Sequence, residues 1–204
     1  RARGLFPLES PRYIRPSLVR LGQALAFDKV LSGNRDIACT TCHLPAFSTG
    51  DDRSLSIGQG GFGFGPNRTI PSGVFIARNA PPLFDIGAMR HLFWDGRVQI
   101  HHGRINSPAG DQLTPQMRRV LEFGPASAIA MFPVGNRDEM RGYSTNDLGR
   151  VSDEDNPGIW SALMKRLGQI PEYRRMFEEA YPGQRAERMT FAHASNAIGA
   201  FMVD

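Results

Sequence analysis

Cys39-Thr40-Thr41-Cys42-His43 is the stretch on which the reading of this chain turns. Two thiols three positions apart can each add across a vinyl group of haem, and the histidine that follows is then placed beneath the iron as an axial ligand. These are the only two cysteines in 204 residues. A dithiol redox pair would sit where a strand meets a helix, and no clear strand precedes the motif. Half of a zinc site would need a second cysteine pair or a histidine cluster at ligand spacing, which is missing. The motif therefore reads as the attachment site of one c-type haem, with Cys39 and Cys42 as its tethers and His43 as its iron ligand.

The composition is consistent with a globular haem carrier. The chain is long enough for one domain or two small ones, and 41% hydrophobic content is ordinary. No run approaches the roughly 18 apolar residues that a membrane span requires. The chain opens Arg1-Ala2-Arg3 with no visible signal peptide. Haem c is attached outside the cytoplasm in bacteria, so a removed signal and a periplasmic location are expected. Both cysteines are taken by haem, which leaves none for a disulfide. The formal charge is +4, and two haem propionates would bring it to about +2. The basic residues, almost all arginine, are scattered, and this excludes a nucleic-acid footprint.

Residues 1–16 read as an N-terminal extension and 17–204 as a single cytochrome c-like haem domain. A first helix is predicted over Ser17–Phe27, with Leu18, Leu21, Ala24 and Leu25 in helical rhythm and Pro16 at its start. Two more are predicted over Pro157–Gln169 and Pro171–Tyr181, each opening near a proline. The last, from about Thr190 to Val203, has Phe191, Ala194, Ile198 and Phe201 as its apolar stripe. Gly199 lets another backbone come close. Residues 48–82 are loop-rich. Gly58-x-Gly60-x-x-Gly63 matches the dinucleotide fingerprint in form but lacks the strand before and the helix after it. Strand signals are weak throughout, so the predicted class is all-α, mainly helical and loop-rich.

Several further stretches carry a resemblance. Leu21-Gly22-Gln23-Ala24-Leu25-Ala26-Phe27-Asp28 and Leu31-Ser32-Gly33-Asn34, followed by the haem motif, resemble the opening of bacterial di-haem cytochrome c peroxidases. So do Arg78-Asn79-Ala80-Pro81-Pro82, Leu92-Phe93-Trp94-Asp95-Gly96-Arg97 and Asp138-Glu139-Met140. Ile170-Pro171-Glu172-Tyr173, Met176-Phe177 and the helix ending Ala197-Ile198-Gly199-Ala200-Phe201 are also similar. MauG-type enzymes, which oxidise residues of a partner protein, share these elements. The resemblance implies that this is the peroxide-reacting haem domain, with a second haem domain downstream that has no counterpart in these residues.

On that resemblance Glu139 is the distal carboxylate that moves a proton between the peroxide oxygens; from charge alone it reads as a surface acid between Arg137 and Arg141. Trp94 matches a tryptophan between the two haems and equally reads as a core aromatic with its N–H bonded. Asn79 matches a ligand of an interdomain calcium ion. Relatives that close their haem when oxidised carry a histidine in the glycine-rich loop, whereas residues 44–90 here contain none. His101 and His102 are the nearby substitutes, and Met89, Met131 and Met140 are the methionines to inspect as ligands. The expected partners are hydrogen peroxide, a donor cytochrome or second haem domain, a protein substrate in the MauG-type variant, and a second copy in a dimer. The rival readings are an electron carrier whose sixth ligand is Met or His, and a haem-bearing interaction subunit.

Overall fold

The computed structural model describes residues 13–71 and 73–204. Most of the predicted N-terminal extension, residues 1–12, lies outside the described residues. The first helix, α1 (Pro16–Phe27), begins one residue earlier than the sequence predicts. Pro16 occupies its first turn, where a missing N–H costs nothing. Leu18, Leu21, Leu25 and Ala26 form its buried face. The single turn α2 (Cys39–Cys42) carries the haem motif. Short helices α3 (Pro115–Val120) and α4 (Pro125–Ile129) follow a small sheet, and α5 (Asn156–Gly168), α6 (Pro171–Ala180) and α7 (Phe191–Val203) complete the set.

Helix α7 is the centre of the molecule. All ten residues Phe191–Ala200 are buried, so the apolar stripe read from sequence understates its burial. Helices α1, α3, α4 and α5 all pack on it. Its polar members are buried with partners. Asn196 accepts from the Glu122 amide and the Ser127 hydroxyl, both at 2.8 Å, and Ser195 Oγ donates to the Ser127 carbonyl. His193 caps the helix by accepting the Thr190 amide at 3.1 Å, which gives this buried histidine a structural task.

Gly199 bears out its predicted use. An added Cβ would lie 2.7 Å from Ser127 Cα and 2.9 Å from the Ala126 carbonyl oxygen on α4. Gly199→Val is expected to cost about 3 kcal/mol through overpacking. Thermal unfolding should show the midpoint lowered by roughly 6–12 °C, and an unchanged midpoint would mean that the α4–α7 contact yields freely.

The sheet departs from the weak strand signals. Strands β1 (His91–Leu92), β2 (Val98–His101) and β3 (Arg104–Asn106) pair antiparallel in that order, with Leu92 opposite Val98 and Ile100 opposite Ile105. Each is too short to display a period of two. The overall class remains mainly helical. No helix among the described residues is long and apolar enough to cross a membrane.

Candidate haem site

The haem turn is anchored on both sides. Thr41 Oγ1 accepts the Ala38 amide at 2.9 Å, which caps α2, and the His43 amide donates to the Cys39 carbonyl at 2.9 Å. Thr40 Oγ1 donates to the Ala26 carbonyl at 3.4 Å, tying the turn to α1. The approach to it is held by Arg166 of α5, a buried side chain that donates to the carbonyls of Val30, Ser32 and Gly33 and pairs with Asp147. Nothing in the helical pattern of α5 announced that role.

Cys39 and Cys42 are unpaired and partly buried against the core. Burial pushes the Cys39 thiol up to about 11. The Cys42 thiol is pushed up to about 12, by burial first and then by Asp51 and Glu139, against Arg68. Both thiols are therefore protonated near neutral pH. His43 Nδ1 lies 2.9 Å from the Thr49 carbonyl oxygen. A carbonyl can only accept, so Nδ1 bears the proton and Nε2 keeps its lone pair. Burial lowers the imidazole below its ordinary range, opposed by the carbonyls of Thr49 and Pro81 and by Asp51. Two unpaired thiols on one turn with a neutral, oriented imidazole beside them make the donor set that a c-type haem needs. The residues fit the group.

Glu139 sits on a π-helical turn, Arg137–Arg141, a local widening that often marks functional sites. Asn136 Oδ1 accepts the amides of Asp138 and Glu139 at 2.9 and 3.1 Å. The carbonyls on either side of Glu139 are also taken: Gln59 donates to that of Asp138 at 3.1 Å and Gly33 to that of Met140 at 2.7 Å. Gly33 and Gln59 belong to the segments flanking the haem motif, so this turn is docked onto the site. Gly58 permits the approach, because an added Cβ would overlap the Asp138 carbonyl.

The surface-acid reading of Glu139 does not hold. Arg137 and Arg141 both turn to Asp153, and the Arg141 side chain is completely buried. Glu139 is itself partly buried. Burial raises its carboxyl to about 7, with Asp138 adding to the rise and Arg97 opposing it. The Arg97 guanidinium lies 3.7 Å over the Phe93 ring, which meets Phe132 edge-on at 6.3 Å. Sequence reasoning saw Arg97 only as the last letter of a motif.

Trp94 is not a core aromatic. It is 60% exposed, with its Nε1–H donating to the Asn79 carbonyl at 3.1 Å. It stands on the tight connection between β1 and β2, where the chain turns away from the core. Phe84 and Met89 are exposed as well. The Asn79 residue is exposed, and among the described residues no group of three or more His, Cys, Asp or Glu side chains is placed to hold a metal ion. Met131 and Met140 are core residues, whereas Met89 is at the surface. His101 and His102 stand exposed at the β2–β3 turn with their rings 4.1 Å apart. Among the described residues the glycine-rich segment is a loop closed around Arg68, with no dinucleotide-binding strand or helix about it.

A mainly helical chain with a Cys-x-x-Cys-His turn and a carboxylate-bearing turn docked onto its flanking segments has the features of a haem c domain. Comparison with known proteins makes this specific. Residues 16–204 match the family described as di-haem cytochrome c peroxidase, and the chain belongs to it. Haem c is accordingly its cofactor. The chain is 30% identical over 111 residues to the methylamine utilization protein MauG of Methylorubrum extorquens, covering 53% of this chain and 28% of that protein. It is 27% identical over 181 residues to the cytochrome c551 peroxidase of Pseudomonas aeruginosa, covering 89% of this chain and 37% of that protein. The crystal structure of the diheme peroxidase BthA from Burkholderia thailandensis superposes with a TM-score of 0.58 at 19% identity, over 96% of this chain and 42% of that one. At that identity the likeness is one of fold. The chain thus spans well under half the length of these relatives.

Proposed function

We propose that this chain is the peroxide-reacting domain of a two-haem peroxidase, which reduces hydrogen peroxide with electrons from a second haem domain downstream or from a donor cytochrome. The observation that carries the reading is Glu139: a partly buried carboxyl, released by both neighbouring arginines, docked onto the haem-motif loops and raised to about 7. Cys39 and Cys42 would tether one haem, and His43 Nε2, left with its lone pair, would ligate its iron. When bound, the haem would supply the redox chemistry of peroxide reduction.

The chain's own residues do the rest. The Thr49 carbonyl fixes the imidazole tautomer and orientation. Glu139 takes the proton from one peroxide oxygen and returns it to the other, so that the second leaves as water. A carboxyl near 7 is suited to both halves of that transfer, because it gives up and regains the proton at similar cost. Exposed Trp94 offers an entry for electrons from the second domain. An exposed ring also suits the MauG-type variant, in which a partner protein supplies them. Periplasmic export, a dimer and a calcium ion at Asn79 completed by the second domain belong to this proposal.

The ferric spectrum of the purified holoprotein tests it. A high-spin haem that is consumed rapidly by peroxide is expected. A clean low-spin His/Met signature inert to peroxide would replace this reading with that of an electron carrier.

A further inference from the structure

The glycine-rich loop has no iron-ligating histidine, yet it contains a buried arginine. Arg68 is 4% exposed. Its Nε donates to the Ile57 carbonyl at 2.9 Å, and its two terminal nitrogens donate to Gly63 at 2.9 Å and Gly58 at 2.7 Å. Desolvation lowers its pKa; Cys42, Asp36 and Asp51 offset this in part, and Arg53 adds to the lowering. A guanidinium buried mainly against carbonyls is costly, and here its geometry has a consequence.

The Gly58 carbonyl and the Gln59 amide belong to one planar trans peptide group, whose C=O and N–H point in opposite directions. Arg68 holds the oxygen end. The nitrogen end donates to the Asp138 carbonyl at 3.1 Å. That carbonyl in turn shares a peptide group with the Glu139 amide, which donates to Asn136 Oδ1 at 3.1 Å. Two peptide groups are therefore aligned head to tail between the Arg68 cation and the Asn136 side chain. Each polarises the next, so loosening one end weakens the whole run.

We propose that Arg68 is a positioning residue for Glu139, acting through this two-peptide chain, a role that rests on reading Glu139 as the proton-transfer group. Held in this way, the loop is a fixed wall of the site. The Arg68 cation keeps the Gln59 amide aimed at the Asp138 carbonyl, and so holds the turn that carries Glu139 in place.

The test uses holoprotein carrying Arg68→Gln or Arg68→Lys, with Glu139→Gln alongside. Amide hydrogen exchange at Gln59 and Glu139 is expected to speed up at least tenfold in Arg68→Gln and to be partly restored in Arg68→Lys. The bimolecular rate with peroxide should fall by a similar factor in Arg68→Gln, with the midpoint of its acidic limb displaced. Should the Arg68 variants not fold, Gly58→Ala breaks the same chain at its second link by displacing the Asp138 carbonyl, and the same two changes are expected. Wild-type exchange at Gln59 and Glu139 would overturn the proposal. So would faster exchange with an unmoved pH limb, since Arg68 would then hold only the loop. If Glu139→Gln keeps the wild-type limb, the reading of Glu139 fails instead, and with it the catalytic purpose given to Arg68, while exchange still reports on the chain itself.

Discussion

Glu139→Gln is expected to slow the reaction with hydrogen peroxide by roughly 10²- to 10⁴-fold, the usual contribution of a positioned proton-transfer group. The substitution keeps the size of the side chain and removes its ability to take a proton. It leaves the backbone anchors in place, since the amides of Glu139, Gln59 and Gly33 make the same bonds whatever the side chain. The effect should therefore appear in chemistry and not in folding. Its pH dependence has a definite sign. Burial raises the carboxyl to about 7, and only the ionised form accepts a proton. The wild-type rate constant is thus expected to be flat above that value. Below it the constant should fall roughly tenfold per pH unit, as titration of one group requires. Glu139→Gln should abolish that limb. Stopped-flow measurement of the bimolecular rate between about pH 5 and pH 9, a range set to bracket that carboxyl, decides the matter. Equal rates and an identical limb in the variant would remove Glu139 from the mechanism.

The same residue shows where sequence reading succeeds and where it runs out. Helices α1, α5, α6 and α7 were legible because each carries a sustained apolar rhythm and a proline or capping residue at its start. Cys39, Cys42 and His43 stand out in the sequence because haem c attachment demands adjacency along the chain. Glu139 was not legible from its neighbours, since Arg137 and Arg141 flank it in sequence and suggest a solvated cluster. Asp153 takes both arginines away, and no local pattern reveals a partner twelve or more residues off. Only the family resemblance singled it out. The core-aromatic reading of Trp94 failed in the opposite sense: aromatic character suggested the core, but a tight strand connection puts the ring outside. Arg68 gave one faint signal, a lone arginine amid glycines. Its burial depends on carbonyls gathered from five to eleven residues away, which no period encodes.

The paired substitution Cys39→Ser/Cys42→Ser is expected to give a protein whose haem is lost to acidified acetone, whereas the wild-type haem stays with the polypeptide. Two thioether bonds would make haem retention independent of affinity; without them only His43 Nε2 and apolar contact would hold the group. The change reaches further than the cofactor, because both cysteines pack against the same core as α1 and α7. Removing the haem exposes that part of the core, and the protein loses the stabilisation that a tightly held ligand gives. For a non-covalent ligand at a thousand times its Kd this is about 4 kcal/mol, so the covalent group should contribute at least as much. Thermal unfolding of the doubly substituted protein should accordingly begin well below that of the wild type. His43→Ala supplies the complementary arm. Its haem should remain attached through both sulfurs, with an altered ferric spectrum and no protein imidazole on the iron. A wild-type haem extracted by acidified acetone, or a His43→Ala spectrum identical to the wild type, would mean that Cys39, Cys42 and His43 do not hold the group as assigned. Attachment retained in His43→Ala but lost in the cysteine pair would separate tethering from ligation among three nearly adjacent residues.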